Sequence, residues 1–408
     1  MYKFSLMNEN NLKQMADIQT NAYPSFSMNF EEYIKTEHEK PNVKFYSVEK
    51  DDKMVGSFNI WDFEMNMRGS MVKAGGIGSI AVDLAHKKEK VCKEMMINFF
   101  ENLKEKKSNV ALLYAFNTAF YHKMGFGFGT LLHQFKIKPD DLPGGRSKAF
   151  IRRLSENDSA ELTKFYNSKV DSTHGLIKKY EDEFTKLLKN PKARIFAYVD
   201  GGVKGYIIFT FKQGSQESHL VNDIIVREML FDSPEVFAEI MAFLKSQSDQ
   251  IRYIVLNMFD EGFINTIADP RNHTERILFS IYQEVCQTGL GFMYRICDVE
   301  GFFADIKECK FGDLNLRVKV NVSDTFISEN NKPFLLEFTN GKCKIITDTQ
   351  ADVELNIGIA EFSSLMMGCT NLKLLVKYGK AVISDDNYLD VLSRSLGVDE
   401  KPVCLTHF

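Results

Sequence analysis

The stretch from Val110 to Thr130 reads VALLYAFNTAFYHKMGFGFGT, and few architectures accommodate that order. An apolar strand-like run, Val110–Tyr114, passes through Asn117 into a short helical pattern that stops at Phe120-Tyr121-His122-Lys123-Met124-Gly125-Phe126. A strand feeding directly into a helix belongs to a layered α/β unit. The residues before it agree. Tyr2–Met7 reads as a strand, and Asn8–Asn10 can cap a helix carrying Leu12, Met15 and Ile18. Lys44–Val48 and Met54–Met65 read as strands around an Asp51-Asp52-Lys53 turn, and Met71–Val82 as a long strand containing Gly75-Gly76-Ile77-Gly78. Val91, Met95, Phe99 and Leu103 then recur at steps of four, the apolar stripe of a helix. A strand, a short helix and a further strand are expected to close this unit near Lys138.

The polar, turn-rich run Pro139-Asp140-Asp141-Leu142-Pro143-Gly144-Gly145 marks a first boundary. After it the order repeats, with a hairpin across Asp200-Gly201-Gly202, a strand Leu220–Val226, a helix Pro234–Lys245 and a strand Tyr253–Asn257. In this copy the segment Arg227–Asp232, at the place between strand and helix, has no glycine and two acids, and it reads as a loop unsuited to a pyrophosphate. The last third changes character. Met293–Val299 introduces a helix Glu300–Lys307, alternating strands follow between Leu314 and Ile357, and short helices finish the chain, an α+β pattern. The expected domains are therefore 1–140, 141–290 and 291–408.

Composition narrows the function. At 408 residues, 44% apolar and with 34 Phe, the chain can build several cores. A net charge of -4 and no basic run interleaved with aromatics argue against nucleic acid as a partner. Seven Cys without a C-x-x-C pair point to reduced thiols and a cytoplasmic protein. Neither a signal-peptide core nor an apolar run of about 18 residues occurs, so no membrane is expected. The eight scattered His give no metal-ligand spacing.

An Asn after a strand followed by F-Y-x-x-x-G-F resembles the acyl-CoA side of N-acetyltransferases of the GNAT superfamily. The ending Pro402-Val403-Cys404-Leu405-Thr406-His407-Phe408 resembles the P-x-C-x-T-x-F terminus of the Eis (enhanced intracellular survival) family. Tyr294–Val299 adds to that resemblance. What it implies is an α/β and α+β fold, with two GNAT-like domains in tandem before a domain like sterol carrier protein type 2. It also implies acetyl-CoA as co-substrate, a cationic amine (aminoglycoside, polyamine or lysine) as acceptor, direct transfer in a ternary complex, and a homo-oligomer, a hexamer by family practice. The first copy would be catalytic and the second structural.

Acetyl transfer needs the pyrophosphate held, the ammonium deprotonated and the leaving thiolate protonated. The resemblance puts the pyrophosphate at Lys88, Glu89, Lys90, Val91, Cys92 and Lys93, where a helix N-terminus favours an anion. Ile80, Ala81 and Val82 would face the pantetheine arm, and Phe116 and Asn117 would border the cofactor. Lys90 stands where the family carries glycine. Its side chain could crowd the phosphate or add charge to it. Tyr121, with an ordinary phenol pKa of about 10, would protonate the thiolate. The Phe408 carboxylate, reaching into the first domain's cleft, would be the general base. Glu31 and Glu32 could line an amine pocket or form a solvated face. Trp61 and Phe63 could wall a cleft or pack in the core, and Met366-Met367 read as core. The rival expectation is a degraded GNAT fold in which Lys90 has abolished acetyl-CoA use, leaving a binding or scaffold module. A lipid carrier is a third.

Overall fold

The structure is a computed structural model describing residues 2–145, 147–274, 276–278, 281–348 and 350–408. It divides into two compact units, the residues through Gly129 with Phe292–Phe408, and Thr130–Gly291.

The first unit begins with β1 (Tyr2–Leu6), α1 (Glu9–Ala22), α2 (Phe30–His38), β2 (Val43–Lys50), β3 (Lys53–Met67) and β4 (Ser70–Val82). It continues through α3 (Val91–Lys106), β5 (Val110–Tyr114), α4 (Thr118–His122) and β6 (Gly127–Phe128). Asn8 starts α1 with a reciprocal capping box, accepting from the Asn10 and Asn11 amides while the Asn11 side chain accepts from its own. The α1 face carrying Leu12, Met15, Ala16, Ile18 and Gln19 is buried. On the opposite side, Val91, Met95, Phe99 and Leu103 bury the inner face of α3.

The second unit runs β7 (Leu131–Ile137), β8 (Ile151–Arg153), α5 (Ser159–Val170), α6 (Glu181–Lys189), β9 (Arg194–Val199), β10 (Val203–Gln213), β11 (Asn222–Phe231), α7 (Pro234–Lys245) and β12 (Ile251–Met258). It ends with the small pair β13 (Ile277–Leu278) and β14 (Tyr282–Gln283), and with β15 (Cys286–Leu290). Its sheet has the order β15-β7-β12-β11-β10-β9-β8.

The chain then re-enters the first unit with β16 (Phe292–Ile296) and α8 (Val299–Asp305). The last domain adds β17 (Leu316–Ser323), β18 (Pro333–Thr339), β19 (Lys342–Ile346), β20 (Val353–Gly358), α9 (Ile359–Met366), α10 (Leu372–Lys377), β21 (Ala381–Ile383) and α11 (Leu389–Leu396). Its sheet order is β19-β18-β17-β20-β21.

Two sequence expectations change here. The strand expected to close the first unit, β7, pairs instead with β12 and β15 in the second sheet. Its place is taken by β16, which lies between β5 and β6, giving the first sheet the order β1-β2-β3-β4-β5-β16-β6. Met293–Ile296 therefore form a wholly buried strand of the first sheet, which leads into the expected helix, α8. Such a pairing joins residues about 180 positions apart and leaves no local sequence signal. The second change concerns Arg227–Phe231, expected as a loop, which extends β11. The Glu228 charge is tolerated in the sheet because Lys179 Nζ lies 2.6 Å from its carboxylate and Tyr206 donates to it.

Arg295 on β16 ties the first domain to the last. Its guanidinium is fully buried, pairs with Asp324 at 2.6 Å, donates to the Met124 carbonyl and lies over the Phe100 ring at 5.0 Å. Gly125, at φ 84, closes α4 beside that guanidinium, and a Cβ there would collide with it. The glycine of the F-Y-x-x-x-G-F run is thus required both by backbone conformation and by space.

Candidate active site

Strands β4 and β5 pair in parallel only at Ala74–Gly76 with Val110–Leu112. Beyond Gly76 they part, because β5 continues its pairing with β16 up to Phe292 opposite Tyr114. The β3–β4 register shifts between Ser57 and Asn59, so Ser79 and Ile80 drop out of the ladder, and Ser79 adopts φ 48. This bulge re-aims the outer half of β4. Gly78, Ser79 and Ile80 are part-exposed, whereas Ala74–Ile77 are buried. The opening is a cleft floored by β4.

At the far end of that floor lies the loop into α3. Lys88 and Lys90 both have positive φ, 68 and 66. Lys90 is the N-cap residue in a left-handed conformation, and no side chain caps the helix. The backbone has kept the conformation glycine takes, at a cost of about 1–2 kcal/mol for a residue with a Cβ. The first-turn amides of Val91, Cys92 and Lys93 are therefore left for an anion. The expected phosphate residues divide. The Lys88 and Lys90 side chains have no hydrogen-bond or ion-pair partner among the described residues. The Glu89 carboxylate is held by Lys50 at 2.8 Å and His86 at 3.4 Å, and its carbonyl accepts from Tyr2. The Lys93 ammonium lies over the Phe326 ring at 5.9 Å, so only its backbone faces the loop as expected. Val91 is core. Of the expected pantetheine residues, Ala81 is buried and paired opposite Ser57, while the Ile80 carbonyl accepts from the Tyr23 hydroxyl at 2.9 Å. Val82 is paired opposite Gly56.

Tyr121 is 2% exposed, and its ring packs against Phe116, Phe120 and Phe126 on the side of the start of α3 that carries Cys92. Burial pushes the phenol far above its usual range, with Cys92 and Tyr23 adding to the effect. The Cys92 thiol is itself pushed up to about 11 by burial. Phe116 is exposed and meets Tyr121 edge-on at 6.2 Å. Asn117 spends its side-chain oxygen on the Phe120 amide, capping α4. Its role is thus to start the helix that carries Tyr121.

The C-terminal segment crosses to the same cleft. Pro402, Cys404 and Thr406 are buried. His407 stacks on Tyr114 with ring planes 9° apart. The Phe408 ring sits 5.0 Å from Phe63, 5.6 Å from Phe292, 5.9 Å from Trp61 and 6.0 Å from Tyr114. A Cβ on Gly76 would stand 2.6 Å from this ring. The Phe408 carboxyl carbon lies 3.5 Å from where a Cβ on Gly78 would be. Trp61 and Phe63, read from sequence as cleft wall or core, form the seat of the terminal ring. Glu31 and Glu32 are exposed on the first turn of α2, where Asn29 caps the helix. Met366 and Met367 are buried in the last domain.

Sequence reasoning missed the roles of Gly76 and Gly78. The glycine cluster was visible, but its reason, room for the terminal ring and carboxyl group, came from residues more than 300 positions away. A separate cavity of about 780 Å³ lies between α3 and the last domain, lined by Phe100, Ser108, Asp305 and Phe326 among others, and it contains none of these residues. Among the described residues no helix is long and apolar enough to cross a membrane.

The comparisons with known proteins agree with this layout. Acetyltransferase (GNAT) domain families match residues 3–129 and 175–296, and a sterol carrier protein domain family matches residues 299–405. The chain is thus an N-acetyltransferase of the GNAT class. Its domain order is two GNAT domains followed by a sterol carrier domain. An uncharacterized N-acetyltransferase of Streptomyces avermitilis is 20% identical over 347 residues, covering 81% of this chain and 80% of that one. The fold is shared over 100% of both chains with a GCN5-related N-acetyltransferase from Anabaena variabilis (TM-score 0.84, 15% identity). It is shared to the same extent with Eis1 from Mycobacterium abscessus (TM-score 0.79, 16% identity).

Proposed function

We propose that the first domain transfers the acetyl group of acetyl-CoA to a cationic amine by direct transfer in a ternary complex. The observation that supports this reading is the seating of Phe408 on the first domain, with its carboxyl carbon beside Gly78 on the part-exposed stretch Gly78–Ile80. Acetyl-CoA supplies an acetyl group activated as a thioester. The strand opening and the uncapped, lysine-bearing start of α3 suit its pantetheine arm and its phosphates. The Phe408 carboxylate takes the proton that the amine must lose. Tyr121, held neutral by burial, donates its proton to the departing sulfur. The Eis-like domain order supports aminoglycosides, polyamines and lysine side chains as the amine classes to test, and a cytoplasmic homo-oligomer, a hexamer, as the working assembly.

Binding calorimetry with acetyl-CoA tests the first requirement. The wild type is expected to bind, and absence of binding at millimolar acetyl-CoA would remove the enzyme reading in favour of a scaffold. Lys90→Gly is expected to raise the melting temperature, because it relieves a left-handed Lys worth about 1–2 kcal/mol. It should also weaken acetyl-CoA binding about two- to fivefold through loss of a solvent-screened charge. Tighter binding by Lys90→Gly would mean that the side chain crowds the phosphate.

A further inference from the structure

The cavity of about 780 Å³ beside α3 has the size of a small-molecule site. One wall is a face of α3, where Ile97, Phe100, Glu101 and Lys104 follow one another at steps of one to three. The other walls are α8 and the segment from Phe326 to Phe334. That segment is pinned from behind. Asp324 Oδ1 accepts from the Phe326 and Ile327 amides at 2.9 and 3.0 Å. Asn330 accepts from the Val299 amide at 3.2 Å and donates to the Cys297 carbonyl at 3.0 Å. The space is thus built into the fold and preformed.

Its polar groups are not balanced. Five acids and three lysines line it. Lys104 pairs with Glu329 at 3.0 Å and Lys332 with Glu300 at 2.7 Å, both exposed at the rim. Asp298 accepts from the Gly301 amide as the cap of α8. Glu101, Asp305 and Lys107 remain, and none of the three has an ion-pair partner among the described residues. The Asp305 carboxylate accepts from Asn109 Nδ2 at 2.7 Å. Partial burial, with the Asp298 charge adding to it, holds that carboxyl above its usual range. Ser108, next to Asn109 and only 4% exposed, lines the cavity with an Oγ that has no hydrogen-bond partner. A buried hydroxyl in that condition calls for a partner from outside the chain. Because Asp305 is bonded to the neighbour of Ser108, carboxylate and hydroxyl stand at one end of the cavity. It is the end where α3 stops, and a helix C-terminus favours a cation. A metal ion suits the site less, since no group of three ligating side chains occurs among the described residues.

We propose that this cavity binds a small organic cation, a primary ammonium on an aromatic body, with the ammonium at Asp305 and Ser108 and the body against Ile97, Phe100 and Phe326. The ammonium has three N–H donors, one for the carboxylate, one for Ser108 Oγ and one for water at the mouth. No bond is made or broken, and the site stands apart from the acetyl-transfer reading.

The test is calorimetry on the full chain without acetyl-CoA. Tryptamine is the cation, indole-3-propionate its anionic counterpart and 3-ethylindole the neutral one. Tryptamine should bind one to one with a Kd of about 1 mM or lower, and the other two at least about tenfold more weakly. Asp305→Asn can still accept from Asn109 but loses the charge, and it should weaken tryptamine about tenfold or more. Ser108→Ala should weaken it about two- to tenfold. Ala304→Phe, which puts a ring into the cavity from α8, should remove binding. No binding at about 10 mM, equal affinity for the three indoles, or unchanged tryptamine affinity in Asp305→Asn would overturn the proposal. So would binding that survives both cavity variants and is lost when residues are appended after Phe408, which would place the amine in the transfer cleft. If Ala304→Phe does not fold, the isosteric Asp305→Asn decides.

Discussion

Appending three residues after Phe408, or deleting Phe408, is expected to lower acetyl transfer about 10²–10⁴-fold, the range for loss of a general base. Acetyl-CoA affinity should change little, and deletion, which empties the aromatic seat, should also lower the melting temperature. The terminal ring is seated among Phe63, Trp61, Phe292 and Tyr114, with Gly76 leaving room beneath it. That seat puts the carboxyl carbon near Gly78. An extension converts the carboxylate to an amide, which is no base, and pushes further chain into the cleft. Deletion leaves a carboxylate on His407, whose ring lies on Tyr114 outside the seat. Phe408→Ala keeps a carboxylate at the right residue but loses the ring contacts, so an intermediate loss is expected. Steady-state kinetics on the four proteins gives the order wild type, Phe408→Ala, then deletion and extension. An extended enzyme with wild-type turnover would assign the proton to a side chain or to water.

Tyr121→Phe is expected to reduce kcat by about 10²–10⁴-fold, with acetyl-CoA affinity within a factor of about two. The ring stays packed against Phe116, Phe120 and Phe126, and only the hydroxyl proton disappears. The sign of the Tyr121 shift adds a second check. Because burial raises its pKa, the neutral, proton-donating form persists above pH 10, so the wild-type kcat profile should show no falling limb from this group below that pH. A falling limb near pH 8 that Tyr121→Phe abolishes would contradict the placement of Tyr121 in a dry site. Unchanged turnover would make it a packing residue.

What could be read from sequence was what is written locally. The stripe Val91, Met95, Phe99, Leu103 gave α3, Asn8 gave the start of α1, and the F-Y-x-x-x-G-F run gave α4 and its stop. The exchange of β7 and β16 between sheets was not legible, since either strand suits either sheet by composition and only long-range pairing decides. Glu228 was misread because an acid signals a loop unless its buried partner, here Lys179, is known. Within the site, Tyr121 and Phe408 were legible as chemistry. The Lys90 substitution was legible as a departure, but the retention of the left-handed backbone under it was not. The purpose of Gly76 and Gly78 was not legible because it depends on a terminus that arrives from the other end of the chain.

The most direct test is amine-dependent release of CoA from acetyl-CoA, with the product identified by mass spectrometry, using kanamycin, spermidine, a lysine peptide and butylamine as acceptors. The cleft between Tyr121 and Phe408 predicts CoA release in step with a gain of one acetyl group on nitrogen of at least one amine, and little release without amine. Acetyl-CoA binding without any amine-dependent release would contradict it.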